Sequence, residues 1–175
     1  MNLTIQMLLD THLFQKLYKP ISRKLMIKID VFIQDKNWKK YISNPSKYIK
    51  RKTKIINNLL QPIKNKKINF SILLAGNRQV RNLNKKFRKK NKTTDVLSFP
   101  FYNVKDLKKL KHKRVYLGDI ILNFHKINKK NFKKDFDRLW VHGYLHLLGY
   151  KHFKDKDYYK MNKMEKIILK KIEDK

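Results

Sequence analysis

Residues 142–152 read H-G-Y-L-H-L-L-G-Y-K-H, and the fold of the chain can be worked out from this segment. His142 and His146 are four residues apart, so on a helix their side chains lie on one face, about one turn apart. Gly149 can end that helix with a left-handed turn and bring His152 back beside them. Three histidines around one ion leave a fourth position for water, which is the ligand set of a catalytic rather than a structural zinc.

Two other interpretations of this segment must be weighed. Two histidines four apart on an apolar helix often form only a packed pair, but a third histidine behind a turn glycine favours a metal site. The spacing equals that of the peptidase motif H-E-x-x-H-x-x-G-x-x-H, whose glutamate is the general base. Gly143 occupies that position, and the chain has only two glutamates, Glu165 and Glu173. We therefore predict a metal site and argue against a peptidase or amidase.

The helix that carries the first two histidines is predicted to span about residues 135–148. Its side chains are apolar almost all round, and such a helix is buried. The residues concerned are Leu139, Trp140, Val141, Tyr144, Leu145, Leu147 and Leu148. The remaining elements must therefore enclose this helix.

Alternation and helical spacing predict the elements on either side of it. Strands are expected at 26–33, 68–74, 93–100 and 115–124. Helices are expected at 45–60, 78–88 and 156–172, with Asp155 as the N-cap of the last one. A basic loop at 89–92 and a charged connection without regular structure at 101–114 complete the chain. This order predicts an α+β fold in which a small mixed sheet of about four strands packs with helices around the buried central helix.

Composition limits the class of protein. Residues 1–25 are predicted to be an N-terminal extension and 26–175 a single domain, with Met26 as an alternative to Met1 as the start. The chain has no cysteine, so it has no disulfide framework or thiolate metal site. It has no long apolar run and no signal-peptide pattern, so we expect neither a transmembrane helix nor secretion.

The positive charge predicts a polyanionic partner. Lysine and arginine number 45 against 13 acidic residues, a formal charge of +32. Such a charge attracts nucleic acid with steep salt dependence. The alternative is a compositional bias from an A/T-rich genome, because most of the cations are lysine and the chain is also rich in asparagine and isoleucine. The charge supports a nucleic-acid partner without locating a site.

Several single residues are candidates for further roles. Arg88 ends a predicted helix beside the basic loop, and its guanidinium fork matches phosphate oxygens; the alternative is a solvated surface side chain. Asp95 could cap a turn, orient a histidine or act on water, and composition favours the turn. Asp119 lies in an apolar strand and needs a partner if it is buried. The remaining histidines are expected at the surface: His12, His112 and His125.

Four segments together resemble one known family, the YbeY family of bacterial endoribonucleases, also called rRNA maturation factors. They are N-K-K-F-R (84–88), T-D-V-L-S-F-P (94–100), L-G-D-I (117–120) and the histidine segment (142–152). The spacing of Met161 and Glu165 is also similar to the end of the family pattern. The resemblance covers about residues 26–170, with the segments in the same order.

This resemblance implies a metal-dependent endoribonuclease, specific for single strands, that acts in maturation of the 3′ end of 16S rRNA and in ribosome quality control. It implies zinc, or another divalent transition metal, on His142, His146 and His152, with Arg88, His142 and His146 as catalytic residues. The partners would be single-stranded RNA, rRNA and the ribosomal subunit, in the cytoplasm, with no membrane and no DNA specificity. The family ending Gly-Tyr-Asp-His reads Gly-Tyr-Lys-His here; if that aspartate supports the loop or the metal, Lys151 lowers activity.

The residues suggest a mechanism. The ion would activate a water or polarise an RNA phosphate, and Arg88 would hold the phosphate. Attack by the RNA 2′-OH is equally compatible. Lysines in 85–92 would guide the strand, and Phe87 or Phe101 could stack a base, although core packing is favoured for Phe87. The alternative function is a non-catalytic rRNA-binding assembly factor with a structural metal.

Overall fold

A computed structural model of the chain describes residues 26–56, 67–111, 113–152 and 154–173. The predicted extension, His12, His112 and residues 57–60 of the first predicted helix lie outside the described residues. The elements are β1 (Met26–Ile33), a short 3₁₀ helix (Lys36–Lys40), α1 (Pro45–Ile56), β2 (Lys67–Ala75), α2 (Asn77–Arg88), β3 (Val96–Pro100), α3 (Val104–Lys109), β4 (Arg114–Asn123), a second 3₁₀ turn (Phe124–Lys126), α4 (Phe132–Leu147) and α5 (Asp155–Glu173).

The strands form one mixed sheet in the order β1-β2-β4-β3. The first three in this order are parallel, and β3 runs antiparallel to β4. Along β2, every second residue is fully buried, namely Ile68, Phe70, Ile72 and Leu74. This period of two gives the sheet one continuous apolar face. The predicted α+β fold with a small mixed sheet is confirmed.

Helix α4 packs on that face and is the centre of the larger core. Trp140, Val141, Tyr144 and Leu145 are fully buried, and the Tyr144 ring stacks on Phe70 of β2 with centroids 4.9 Å apart. α1 and α5 pack beside α4 on the same side of the sheet. The prediction of a buried central helix is confirmed. A helix with apolar residues on all sides has no polar face that could contact water, so it is buried.

A buried polar network joins these three helices. The Asp137 carboxylate on α4 accepts hydrogen bonds from Lys52 Nζ at 2.5 Å and the Tyr48 hydroxyl at 2.9 Å, both on α1, and from Trp140 Nε1 at 2.9 Å. Lys52 Nζ also donates to the carbonyl of Ile172 on α5 at 3.2 Å. Because every charged group has partners, the pair is tolerated inside the core.

The opposite face of the sheet carries α2. Val80 packs there with Ala75, Leu97 and Ile121 in a second, smaller cluster. α2 ends at Arg88, and residues 89–95 lead directly into β3, against which α4 packs on the other face. The end of α2 therefore lies beside the strand that supports the histidine helix.

Several predicted boundaries are wrong. Residues 101–114 were expected to lack regular structure but contain α3, whose Asn103 side chain caps the amide of Asp106 at 2.9 Å and whose Leu107 is 4% exposed. Lysines in and beside this short helix obscured the apolar anchor that Leu107 provides. β3 begins at Val96 rather than at residue 93, and Asp155 is the first residue of α5 rather than its N-cap.

No helix within the described ranges combines the length and the apolar character needed to cross a membrane.

Candidate metal centre

The end of α4 brings His152 back toward the helix. α4 ends at Leu147, and Gly149 adopts a φ of 88°, which L side chains rarely adopt. The Tyr150 amide then donates to the Leu145 carbonyl at 3.0 Å, the bond that closes a Schellman turn. The predicted left-handed turn at Gly149 is therefore present, and it reverses the chain just before His152.

Three histidines meet at this turn. Their nearest ring nitrogens all lie within 4.8 Å of one another, and Nε2 of His142 is 3.1 Å from Nε2 of His146. The rings of His142 and His146 are half-buried, and His152 is exposed. His152 faces both partners, with ring centroids 5.6 Å from His142 and 4.9 Å from His146.

The tautomer of His146 follows from its hydrogen bond. Nδ1 lies 2.9 Å from the Tyr150 carbonyl, which can only accept, so Nδ1 carries the proton and Nε2 keeps its lone pair. Burial, opposed by this hydrogen bond, lowers the pKa of His146 from 6.5 to about 4. His146 is therefore neutral near pH 7, which is the state that binds metals.

Glu165 orients His142 in the same way. Its Oε2 lies 2.9 Å from Nδ1 of His142 and accepts a hydrogen bond from the N–H there, which leaves Nε2 of His142 directed at the cluster. A carboxylate behind a metal-binding histidine fixes the ring and raises its basicity. From the sequence, Glu165 was only one of two glutamates and part of the family ending, with no predicted role at the histidines. The available signal was the scarcity of glutamate, because the chain has only two and both lie on the last helix.

The donor set fits a divalent transition metal. Two nitrogens that both present lone pairs 3.1 Å apart cannot hydrogen-bond to each other, and a cation between them removes the conflict. A tetrahedral zinc at about 2.0–2.1 Å from each nitrogen holds them about 3.3–3.4 Å apart. The third nitrogen lies within 4.8 Å, and rotation of the exposed His152 ring would close this gap. Imidazole nitrogen suits zinc, copper, iron and nickel.

Gly143 is required by packing. A Cβ atom at this position would lie 2.7 Å from Cγ2 of Ile120 on β4 and 3.2 Å from the Ser98 hydroxyl on β3. Real Cβ atoms essentially never make a contact under 3.0 Å, such as the one to Ile120, so α4 approaches the sheet this closely only because residue 143 has no side chain. A glutamate does not fit here, which removes the peptidase general base for a steric reason.

The cluster opens into a cavity of about 600 Å³. The three histidines line it together with Arg88 and Lys151. Phe101, Tyr102 and Asn103 line it as well. Pockets of this size hold one ligand-sized group with a few placed polar side chains. The structure thus brings all four predicted site residues to one cavity and adds Lys151.

Asn84 explains how Arg88 reaches the cavity. This residue is 2% exposed, and its side-chain amide donates to the Lys92 carbonyl at 2.7 Å. Its backbone carbonyl accepts a hydrogen bond from the Lys90 amide at 3.2 Å, while Lys89 adopts a left-handed conformation with φ 58°. The basic loop therefore folds back on α2. Arg88, the last residue of this helix, lines the cavity beside the loop.

Other sequence-based assignments have mixed outcomes. Core packing was favoured for Phe87, but this side chain is 57% exposed; it makes a T-shaped contact with Phe99, with centroids 5.3 Å apart, and Lys86 Nζ lies over its ring. Asp95 has the turn role: its Oδ1 accepts from the Thr94 hydroxyl at 3.0 Å and from the Val96 amide at 2.9 Å.

Two further polar residues have partners away from the cavity. Asp119 accepts hydrogen bonds from the hydroxyls of Ser71 and Tyr116 on the sheet surface, the latter at 2.6 Å. His125 is half exposed and lies 3.6 Å from Asp35. Neither residue lines the cavity.

Comparisons with known proteins agree with the family resemblance of the sequence segments. The family model described as Endoribonuclease YbeY matches residues 32–173. A protein of Pelagibacter ubique named Endoribonuclease YbeY is 44% identical over 162 residues, covering 86% of this chain and 99% of that protein. One of the same name from Ehrlichia chaffeensis is 32% identical over 155 residues, covering 84% and 93%.

A solution structure of a Thermotoga maritima protein aligns with a TM-score of 0.49 and 23% identity, covering 84% of this chain and 89% of that one.

Proposed function

Because the chain belongs to the Endoribonuclease YbeY family, we propose that it is a metal-dependent endoribonuclease that cleaves single-stranded RNA. The observation that carries the proposal is the pair of Nε2 atoms of His142 and His146. Glu165 and the Tyr150 carbonyl hold the two rings from behind, so that both lone pairs face a cavity that also contains Arg88. A metal site open to a cationic cavity suits phosphodiester chemistry.

In this proposal the side chains of the cavity have different roles. His142, His146 and His152 would hold the metal, which we propose to be zinc. When bound, the divalent ion supplies a Lewis acid that polarises a phosphate oxygen or an attacking hydroxyl. Arg88 would bind two phosphate oxygens with its fork and stabilise the charge that develops on them. Lys151 would add a second positive charge beside the substrate. Water and the RNA 2′-OH both remain possible nucleophiles.

The biological substrate in this proposal is ribosomal RNA. The resemblance of four sequence segments supports a role at the 3′ end of 16S rRNA and in ribosome quality control, with the ribosomal subunit as partner. The formal charge of +32 supports a polyanion as substrate. These tasks place the protein in the cytoplasm.

A second candidate is an rRNA-binding assembly factor with a structural metal. One observation favours it: among the described residues that line the cavity, Asp95 is the single acidic side chain, and its Oδ1 is occupied by Thr94 and Val96. Its Oδ2 lies 3.8 Å from Arg138, so among the described residues no carboxylate that lines the cavity is free of partners to carry protons. In this alternative the cluster stabilises the fold and the cations bind RNA without cleaving it.

The two candidates separate in a cleavage assay on a single-stranded RNA at near-physiological salt. We compare zinc-loaded protein, chelated protein and the Arg88→Ala variant, with Arg81→Ala as the matched control. Arg81 lies on the same helix but hydrogen-bonds Asn91 at 2.9 Å and does not line the cavity.

We expect cleavage that disappears on chelation, returns with zinc and falls about 100-fold in Arg88→Ala, the size of effect of losing one charge-stabilising donor. Arg81→Ala should stay close to wild type. Tight, salt-sensitive binding without cleavage by the zinc-loaded protein would establish the assembly factor instead.

A further inference from the structure

Phe101 is an aromatic side chain that the fold leaves in water at the opening of the cavity. It follows the last residue of β3, lines the same cavity as Arg88 and the histidines, and is 66% exposed. A large apolar side chain gains free energy when it is covered. Neither of its aromatic neighbours stacks on it: the rings of Tyr102 and Tyr116 meet it in T-shaped contacts with centroids 4.9 Å and 6.0 Å away.

The backbone holds Phe101 in this position. Its amide donates to the Leu117 carbonyl at 2.8 Å. Leu117 lies at a bulge in β4, where this strand has one residue more than the stretch of β2 that pairs with it. Gly118 in this bulge has φ 128°, and a Cβ there would lie 2.1 Å from the Phe99 carbonyl oxygen. The end of β3 can approach β4 this closely only because residue 118 is glycine. The ring is therefore presented on a rigid strand end rather than on a long loop.

The cavity thus has two kinds of lining. Cationic and imidazole groups, those of Arg88, Lys151 and the three histidines, would face a phosphate, and an aromatic group stands at the opening. A single-stranded nucleic acid has this same combination, because each nucleotide carries a charged phosphate and a flat base. Base stacking on aromatic side chains tolerates any sequence, since every base has a π face, but it requires an unpaired base.

We propose that Phe101 stacks the base of a nucleotide next to the scissile phosphate and thereby makes the site select unpaired RNA. This inference rests on the proposed nuclease function and adds the residue that determines strand specificity. Phe101 takes no part in the bond-breaking step. Its contribution is to bind and orient the strand, so that a duplex, whose bases are already stacked on each other, does not gain this contact.

The test is a double-mutant cycle between Phe101→Ala and removal of the base. The substrates are one single-stranded RNA and two versions of it that lack the base on the 5′ or the 3′ side of the cleaved phosphate. Cleavage by zinc-loaded protein and binding by metal-free protein are measured on all three. Phe32→Ala is the matched control, because Phe32 is 58% exposed on β1, at the other edge of the sheet.

Wild type should bind and cleave the intact RNA roughly tenfold better than one of the abasic versions. Phe101→Ala should bind and cleave intact RNA roughly tenfold less well than wild type does. On that abasic version, the variant and wild type should bind and cleave equally well. Phe101→Trp should retain the effect, whereas Phe101→Leu, which keeps apolar bulk without a π face, should lose it. Phe32→Ala should match wild type. Thermal unfolding of each variant checks that the fold is retained.

The inference is overturned if Phe101→Ala binds and cleaves intact RNA as well as wild type does. It is also overturned if the variant loses the same factor in binding and cleavage on intact RNA and on both abasic substrates. If the zinc-loaded wild type cleaves no RNA, the proposed nuclease function fails by itself, and the binding half of the cycle still decides whether Phe101 stacks a base.

Discussion

Glu165 on α5 accepts a hydrogen bond from Nδ1 of His142 on α4 at 2.9 Å, although 23 residues separate them in the chain. The carboxylate is largely shielded from water, with its side chain 17% exposed. It thus fixes which nitrogen of His142 faces the histidine cluster. The C-terminal helix, which contributes no histidine to the cluster, therefore helps to set the geometry of the proposed metal site.

Replacing Glu165 should weaken metal binding while leaving the ligands intact. In Glu165→Gln the neutral amide is a poorer acceptor and no longer raises the basicity of His142. We expect zinc affinity to fall about 10- to 100-fold, as for other residues behind metal ligands. The measurement is competition with a chelator of known affinity.

Glu173→Gln is the control for that prediction. Glu173 lies on the same helix but makes only a long, exposed contact of 3.8 Å with Lys134. Equal zinc affinity in the Glu165 and Glu173 variants would show that His142 needs no carboxylate behind it.

Metal removal should lower thermal stability without unfolding the protein. Zinc that binds only the folded state stabilises it by about 2.7 kcal/mol at a free concentration 100 times Kd. We expect a zinc-dependent rise in Tm for wild type and none for His142→Ala, with His125→Ala, whose histidine is outside the cluster, behaving as wild type. Chelated wild type that is unfolded at 25 °C would instead identify a structural metal.

A methyl group at position 143 should destabilise the fold. Alanine is better than glycine inside a helix by about 1 kcal/mol, but overpacking of a core costs about 1–3 kcal/mol. The Cβ would lie 2.7 Å from Ile120 Cγ2, and a β-branched side chain adjusts poorly, so overpacking should outweigh helix propensity. We expect Gly143→Ala to lose about 1 kcal/mol in urea unfolding.

A coupled substitution identifies the cause of that loss. Ile120→Ala removes the clashing atom, so it should cost less in the Gly143→Ala background than in wild type. Strict additivity of the two free-energy changes would mean that this contact is not what excludes a side chain at residue 143.

Breaking the buried ion pair should have a larger effect. In Lys52→Met the carboxylate of Asp137 stays buried with only Tyr48 and Trp140 as partners. Leaving one charge of a buried pair unmatched costs about 3–5 kcal/mol, so we expect a loss at the lower end of this range. Lys54→Met, an exposed lysine two residues along the same helix, should stay within about 0.5 kcal/mol of wild type. Similar unfolding midpoints for the two variants would contradict the role of Lys52.

Much of the fold and of the site could be predicted from local patterns. The 142–152 segment specifies the two helical histidines and the turn at Gly149, because 3.6 residues per turn and a glycine that tolerates positive φ are properties of the chain itself. The all-round apolar surface of α4 likewise indicates burial at the centre of the core. The alternating residues of β2 predict a strand for the same local reason.

Contacts between distant segments decided the rest. Glu165 and Lys52 belong to charged, lysine-rich helices whose patterns suit solvent exposure, and only their docking against α4 gives them buried partners. Phe87 has the apolar character of a core residue, yet on α2 it remains 57% exposed beside Phe99. The sequence by itself therefore determined which histidines form the cluster and which helix is buried. The tertiary structure decided which groups orient those histidines and which aromatic side chains remain in water, because burial and hydrogen bonding across 23 or 85 residues depend on packing that no local pattern records.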